Sequence, residues 1–190
     1  RETVLESRGR AVLPAGELQA GLAPGDYVRV RSDRPVIGVE MFGHPGSLAV
    51  LPGLRAGEAP ADLFSPHLAV GDFGVLYESV LTLVNTGLSA ATVTVTRFDD
   101  LGDARQTAEV ELPALGKRDL DLAGWLALTQ PTTGYLEVDP GLAAGIVGCM
   151  TFGETGDGQF ISSLPLERAE HNTFLLGHIA NGALGDLTFF

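Results

Sequence analysis

Apolar and polar residues alternate along much of this chain with a period of two. Residues 92–98 read Thr-Val-Thr-Val-Thr-Arg-Phe, which puts Val93, Val95 and Arg97 on one face and the threonines on the other. Tyr27, Arg29 and Arg31 likewise oppose Val28 and Val30. This period makes half-buried strands. Strands are also predicted over residues 36–42, 47–51, 76–84, 104–112 and 117–122, and two or three short ones over 2–22. Between them stand turn signals: Ala23-Pro24-Gly25-Asp26, His44-Pro45-Gly46, Asn85-Thr86-Gly87 and residues 99–103. Turns at such short intervals are the rhythm of an antiparallel sandwich. Helix is expected only within residues 121–130, where Leu122, Trp125, Leu126 and Leu128 precede the stop at Pro131. A leucine-rich insertion of this kind plugs the open end of a sandwich; a sugar-stacking role for Trp125 is the alternative.

The pattern also repeats. Ser32-Asp33-Arg34-Pro35 leads into an apolar run ending on Phe42-Gly43, and a similar run ends on Phe152-Gly153; Gly38 and Gly148 keep the same offset of 110 residues. Tyr27-Val28-Arg29-Val30 answers to Tyr135-Leu136-Glu137-Val138, Leu13-Pro14-Ala15 to Leu112-Pro113-Ala114, and Leu51-Pro52 to Leu164-Pro165. Phe64 and His67-Leu68-Ala69 answer to Phe174 and His178-Ile179-Ala180. A period of this length signals repeated supersecondary units. The expectation is an all-β chain of two related antiparallel β-sandwich domains from an internal repeat of about 110 residues. The first, residues 1–63, is incomplete and is completed by 178–190; the second spans 64–177; residues 55–62 are the joining loop.

Composition narrows the partners. With 45% hydrophobic residues among 190, the chain can bury one large core or two smaller ones. A net charge of −12 repels a phosphate backbone or an anionic lipid surface, so no nucleic acid partner is expected. No run approaches the roughly 20 apolar residues a membrane helix needs, so no membrane insertion is expected. Cys149 is the lone cysteine, which precludes an intrachain disulfide, and its setting among Ile146, Val147 and Met150 favours a small buried thiol. The chain opens on Arg1 without a methionine or a visible signal peptide, which points to a processed or excised chain.

Residues 81–102, LTLVNTGLSAATVTVTRFDDLG, followed by VELPALGKRDLDL, resemble the tandem immunoglobulin-like β-sandwich modules of bacterial secreted and cell-surface proteins. The resemblance covers nearly the whole chain, consists of strand and turn residues, and implies an extracellular or cell-surface location. It carries over no catalytic residue. In the second copy Asp139-Pro140-Gly141-Leu142 stands where the first has residues 32–35.

Candidate chemistry is sparse. Gly87-Leu88-Ser89-Ala90-Ala91 approximates a nucleophile elbow, but a strand rather than a helix follows, so Ser89 reads as a turn residue. Gly153, Gly156 and Gly158 lack dinucleotide-fingerprint spacing, and Gly116-Lys117-Arg118 lacks a phosphate-loop hydroxyl. His171 and His178 are not at ligand spacing; His67 and His178 occupy equivalent places and suit one repeated local hydrogen bond. Asp99, Asp100 and Asp103 around Gly102 suit either a calcium ion or a plain turn; no other metal or cofactor is expected. Arg29, Arg31 and Arg34 form a small basic patch. No catalytic residues are assigned and the chain is expected not to be an enzyme.

Three function classes follow. The first is a non-catalytic structural or adhesive module whose partners are neighbouring repeat modules, copies of itself, or a surface glycan or protein. The second is a carbohydrate-binding accessory module, which needs aromatics such as Tyr27, Tyr77 or Tyr135 exposed on one face. The third is a subunit that self-assembles by strand complementation, with Leu187, Thr188, Phe189 and Phe190 as the assembly strand added to an edge near residues 4–13.

Overall fold

The structure, a computed structural model, describes residues 9–14, 17, 25–55, 57, 59–155 and 160–168. Within them the chain forms, in order, β1 (Val39–His44), β2 (Ser47–Pro52), β3 (Leu63–Asp72), β4 (Leu76–Asn85), β5 (Ala91–Phe98), β6 (Ala104–Leu112) and β7 (Lys117–Asp121). A single helical turn, α1 (Leu122–Trp125), separates these from β8 (Thr132–Asp139), β9 (Ile146–Thr155), β10 (Ile161–Pro165) and β11 (Glu167–Arg168). The paired strands are all antiparallel.

Two layers build a β-sandwich from β3 onward. One layer runs β6-β5-β8-β3 with β11 against β3, and the other runs β7-β4-β9-β10. Strand β3 belongs to both, pairing β8 through Val70 and then β4 through Gly71 and Asp72. The change of sheet needs a glycine: Gly71 has φ +110° and a Cβ there would lie 2.8 Å from the Pro131 Cα. Earlier in β3 the register shifts between Ser65 and Leu68, which places Pro66, with no N–H to give a ladder, inside the irregularity.

The period-two pattern sorts side chains as the sequence dictates. Val93, Val95, Leu136 and Val138 from one layer meet Leu81, Leu83 and Met150 from the other, all essentially without solvent contact. Each such side chain contributes about 2 kcal/mol by leaving water. Thr94 and Thr96 stay on the outer face, where the Thr96 hydroxyl meets that of Thr107 across the ladder. The α1 turn closes one end. Asp121 caps it by accepting from the Ala123 and Gly124 amides, and Leu122 and Leu126 enter the core with Trp125 half-buried against it. The leucines thus form the predicted plug, although α1 is shorter than residues 121–130 because Ala127 turns into the left-handed region (φ +50°).

The all-β antiparallel fold expected from the sequence is observed, but the described residues build one sandwich rather than two discrete ones. The first repeat copy is represented by the β1–β2 hairpin, which lies against β10. The strand predicted over residues 27–31 does not form: Val28 and Val30 are exposed, and Tyr27 donates its hydroxyl to the Leu115 carbonyl at 3.2 Å. No neighbouring strand pairs with this segment among the described residues, and an unpaired strand is not stable in water.

Asn85, buried at the end of β4, ties that end together. Its amide nitrogen donates to the carbonyls of Ser89, Leu112 and Pro113, and its carbonyl oxygen accepts from the Gly87 amide. Asn85→Leu keeps the branched outline of the side chain but orphans these groups, and should cost about 3 kcal/mol. Urea melts should show a lower midpoint with unchanged slope; an unchanged midpoint would mean that water replaces the amide.

Candidate functional site

The β1–β2 hairpin is apolar on both faces. Its register pairs Glu40 with Leu51 and Phe42 with Ala49 on one side, and Val39 with Pro52, Met41 with Val50 and Gly43 with Leu48 on the other. On the first side Ala49 and Leu51 are buried; Ser47 accepts from the Ile161 amide at 2.7 Å and so fixes the hairpin to β10. On the second side Val39, Met41, Leu48 and Val50 are exposed, 49–62% of each remaining accessible. Four such side chains on one small surface are more than the scattered apolar residues of ordinary surfaces. The outer edge of β1 also carries no partner strand among the described residues.

This hairpin is the structural twin of β9–β10. A Cβ on Gly43 would strike the Ser47 carbonyl oxygen and one on Gly153 the Phe160 carbonyl oxygen, so both strands need a glycine where the partner strand begins. Each hairpin closes with the same hydrogen bond, Gly53 N–H to Gly38 C=O at 2.8 Å and Leu166 N–H to Gly148 C=O at 2.9 Å. The two hairpins therefore share this local geometry. The difference lies in the neighbours: β9 pairs β4 along its whole length, and β1 has no equivalent partner among the described residues.

The turn after β5 brings Asp99, Asp100 and Asp103 close in sequence, but Asp99 and Asp103 turn to Arg105 and Asp100 to Thr133. Asp99 accepts from the Leu101 and Asp103 amides and forms an ion pair with Arg105, whose guanidinium also reaches Asp103 at 3.1 Å. Asp100 accepts from the Thr133 hydroxyl at 2.6 Å. The Arg105 hydrogen bond, together with the backbone donors, holds the Asp99 carboxyl below the usual carboxylate range. Among the described residues no group of three or more His, Cys, Asp or Glu side chains converges as metal ligands would.

The remaining candidates are dispersed. Ser89 sits in the turn that Asn85 holds. Cys149 is buried, and burial pushes its thiol up while hydrogen bonds from Ser163 and Thr82 act in the other direction. His67 stacks obliquely on Phe152, ring centroids 4.3 Å apart, and burial lowers its basicity. Burial pushes the Glu137 carboxyl up, helped by Asp62 and Asp139. Arg97 follows Val93 and Val95 on the inward face, and its Nε is buried without a partner. Tyr77 lies edge-on to Phe73 and Phe160, and Tyr135 stacks on Phe98 with a 4° tilt, so the tyrosines named for sugar binding stand in separate places. Arg29, Arg31 and Arg34 lie on the exposed segment before β1. His171, His178 and the tail residues 187–190 lie outside the described residues, as do residues 4–8.

No family model matches the chain, and no curated protein matches it. Among solved structures it is similar to the crystal structure of Thermotoga maritima 1070, at 16% identity over 60% of this chain and 97% of that one, with a TM-score of 0.47. No helix among the described residues is long and apolar enough to cross a membrane.

Two pH effects follow. His67 has a folded pKa below its unfolded value, so the unfolded chain binds this proton first; the stability it supports is complete above about pH 6.5 and is lost as pH falls. The loss of stability between pH 7 and pH 5 should be smaller in His67→Phe, which keeps the ring contact, and equal slopes in the two proteins would refute the assignment. For Asp99 the folded pKa is depressed, so its contribution is present above the unfolded value and is lost on acidification through the folded one. Arg105→Gln should bring the Asp99 carboxyl back toward its ordinary value in a carbon-detected NMR titration.

Proposed function

We propose that this chain is a non-catalytic structural or adhesive repeat module of a secreted or cell-surface protein, one that works by packing against neighbouring modules. The observation that supports this most directly is the exposed apolar face of the β1–β2 hairpin. Its twin hairpin β9–β10 is integrated into a sandwich, so the same sequence unit is used once as an interior part and once as an outward surface. A surface built from interior material suits contact with another module. The immunoglobulin-like character, the two-domain tandem repeat and the extracellular setting belong to this reading, and they rest on the resemblance of residues 81–102 and 110–122 to such modules.

The aromatic cluster of Phe73, Tyr77 and Phe160 favours a second reading, a carbohydrate-binding accessory module, because Phe73 is half-exposed beside Tyr77. Its rings meet edge to face, whereas a sugar needs a flat platform, so the first reading is preferred.

Sedimentation velocity in moderate salt, where self-repulsion is screened, tests the two against each other. The module reading expects association that grows with concentration and is lost in Met41→Glu with Val50→Glu. A glycan array tests the other. Binding there that disappears in Tyr77→Ala, with a monomer at every concentration, would replace the first reading by the second.

A further inference from the structure

The segment that begins the sandwich is echoed in the tail more fully than its histidine shows. His67, Gly71, Gly74 and Leu76 recur as His178, Gly182, Gly185 and Leu187, each at an offset of 111 residues without a gap. The first set carries β3 through its sheet-changing Gly71 and the Gly74 turn into the start of β4. That start pairs with the far end of β9: Leu76 with Thr155, Tyr77 with Glu154, Glu78 with Gly153 and Ser79 with Phe152. The strand equivalent to β9 is β1, at an offset of 110, and its corresponding edge has no neighbour among the described residues.

We infer that residues 187–190 of the chain add as an antiparallel strand to the free edge of β1, in the register that β4 takes on β9. The two offsets fix the pairs: Leu187 opposite Pro45, Thr188 opposite His44, Phe189 opposite Gly43 and Phe190 opposite Phe42. Three properties of the receiving edge fit this occupant. Gly43 has no side chain above the sheet, and an aromatic ring facing a glycine across a ladder covers the bare backbone. A shallow depression of about 530 Å³ lined by Met41, Phe42, Gly43, His44 and Leu48 lies at the same place. In a chain of net charge −12, residues 187–190 bring no further carboxylate side chain to an edge whose nearest ionisable neighbour is His44. Length permits the contact within one chain, because the nineteen residues from Arg168 to Leu187 reach about 60 Å when extended. The inference rests on the repeat and the ladder register and stands apart from the adhesive reading above.

Directly opposed residues on antiparallel strands have Cα atoms about 5 Å apart, within disulfide range, while a stagger of two residues puts them at about 7–8 Å. The test uses the full chain in a Cys149→Ser background, a change that Ser163 and Thr82 accommodate as hydrogen-bond partners. Phe190→Cys with Phe42→Cys should form an intramolecular disulfide at least tenfold faster than Phe190→Cys with His44→Cys. Equal rates, or disulfide-linked dimers as the main product, would overturn the assignment. A second measurement avoids any change to β1: in a chain ending at Gly185, hydrogen exchange of the β1 amides should speed up at least tenfold, while β5 and β6 remain protected. Unchanged exchange in β1 would equally overturn it.

Discussion

The β4–β9 ladder is the interaction on which the sandwich depends. It runs unbroken from Leu76–Thr155 to Asn85–Ile146, and the other strands attach to its two strands either directly or through β3 and β10. On the far side of β4 lie β7 and the end of β3, which brings the second layer round; on the far side of β9 lies β10, which carries the hairpin β1–β2. The inward residues of this ladder, Leu81, Leu83 and Met150, face Val93, Val95, Leu136 and Val138, so the ladder also sets where the core can be. Asn85, at the last rung, then ties the ladder to the following turn and to the end of β6 by donating to the Ser89, Leu112 and Pro113 carbonyls.

Much of this was legible in the sequence because a strand's period is two and a buried face must be apolar. The TVTV strand, the Asn85-Thr86-Gly87 turn, the Asp99 turn and the leucine plug each follow from local chemistry. What local chemistry does not supply is a neighbour. Residues 27–31 alternate as well as β8 does, yet Leu136 and Val138 are buried while Val28 and Val30 are exposed. The difference lies outside the segment, in whether a paired strand and a facing layer are present. The Asp99–Arg105 pair escaped notice for a related reason, since it joins the turn to the first residues of β6 and depends on where a hairpin aims two side chains.

The exposed face of β1–β2 had a readable signal that alternation obscures. In β1, Val39 and Met41 alternate with Glu40 and Phe42, and in β2, Leu48 and Val50 alternate with Ala49 and Leu51, so Glu40 is the one charged residue on two otherwise apolar faces. A strand with two apolar faces belongs where both are covered, as in the interior of a layered protein. Looking for polar–apolar alternation picks out strands that are covered on one side and passes over those that need covering on two.

The two hairpins also constrain each other. Gly43 and Gly153 meet the same backbone obstruction, and Gly38 and Gly148 accept the same closing hydrogen bond. Equal local geometry with unequal surroundings means that the local sequence decides the hairpin and the surroundings decide its burial. In β9, Met150 faces the core and the buried Cys149 lies on the opposite side of the strand; the equivalent residues in β1 are Glu40 and Val39, so a glutamate stands where the twin strand has a core methionine. A glutamate would be costly at the Met150 position, where no solvent reaches the side chain. The two copies are therefore not interchangeable: β1 keeps the backbone of a sandwich strand but is suited, through Glu40, to a wetter place than β9 occupies.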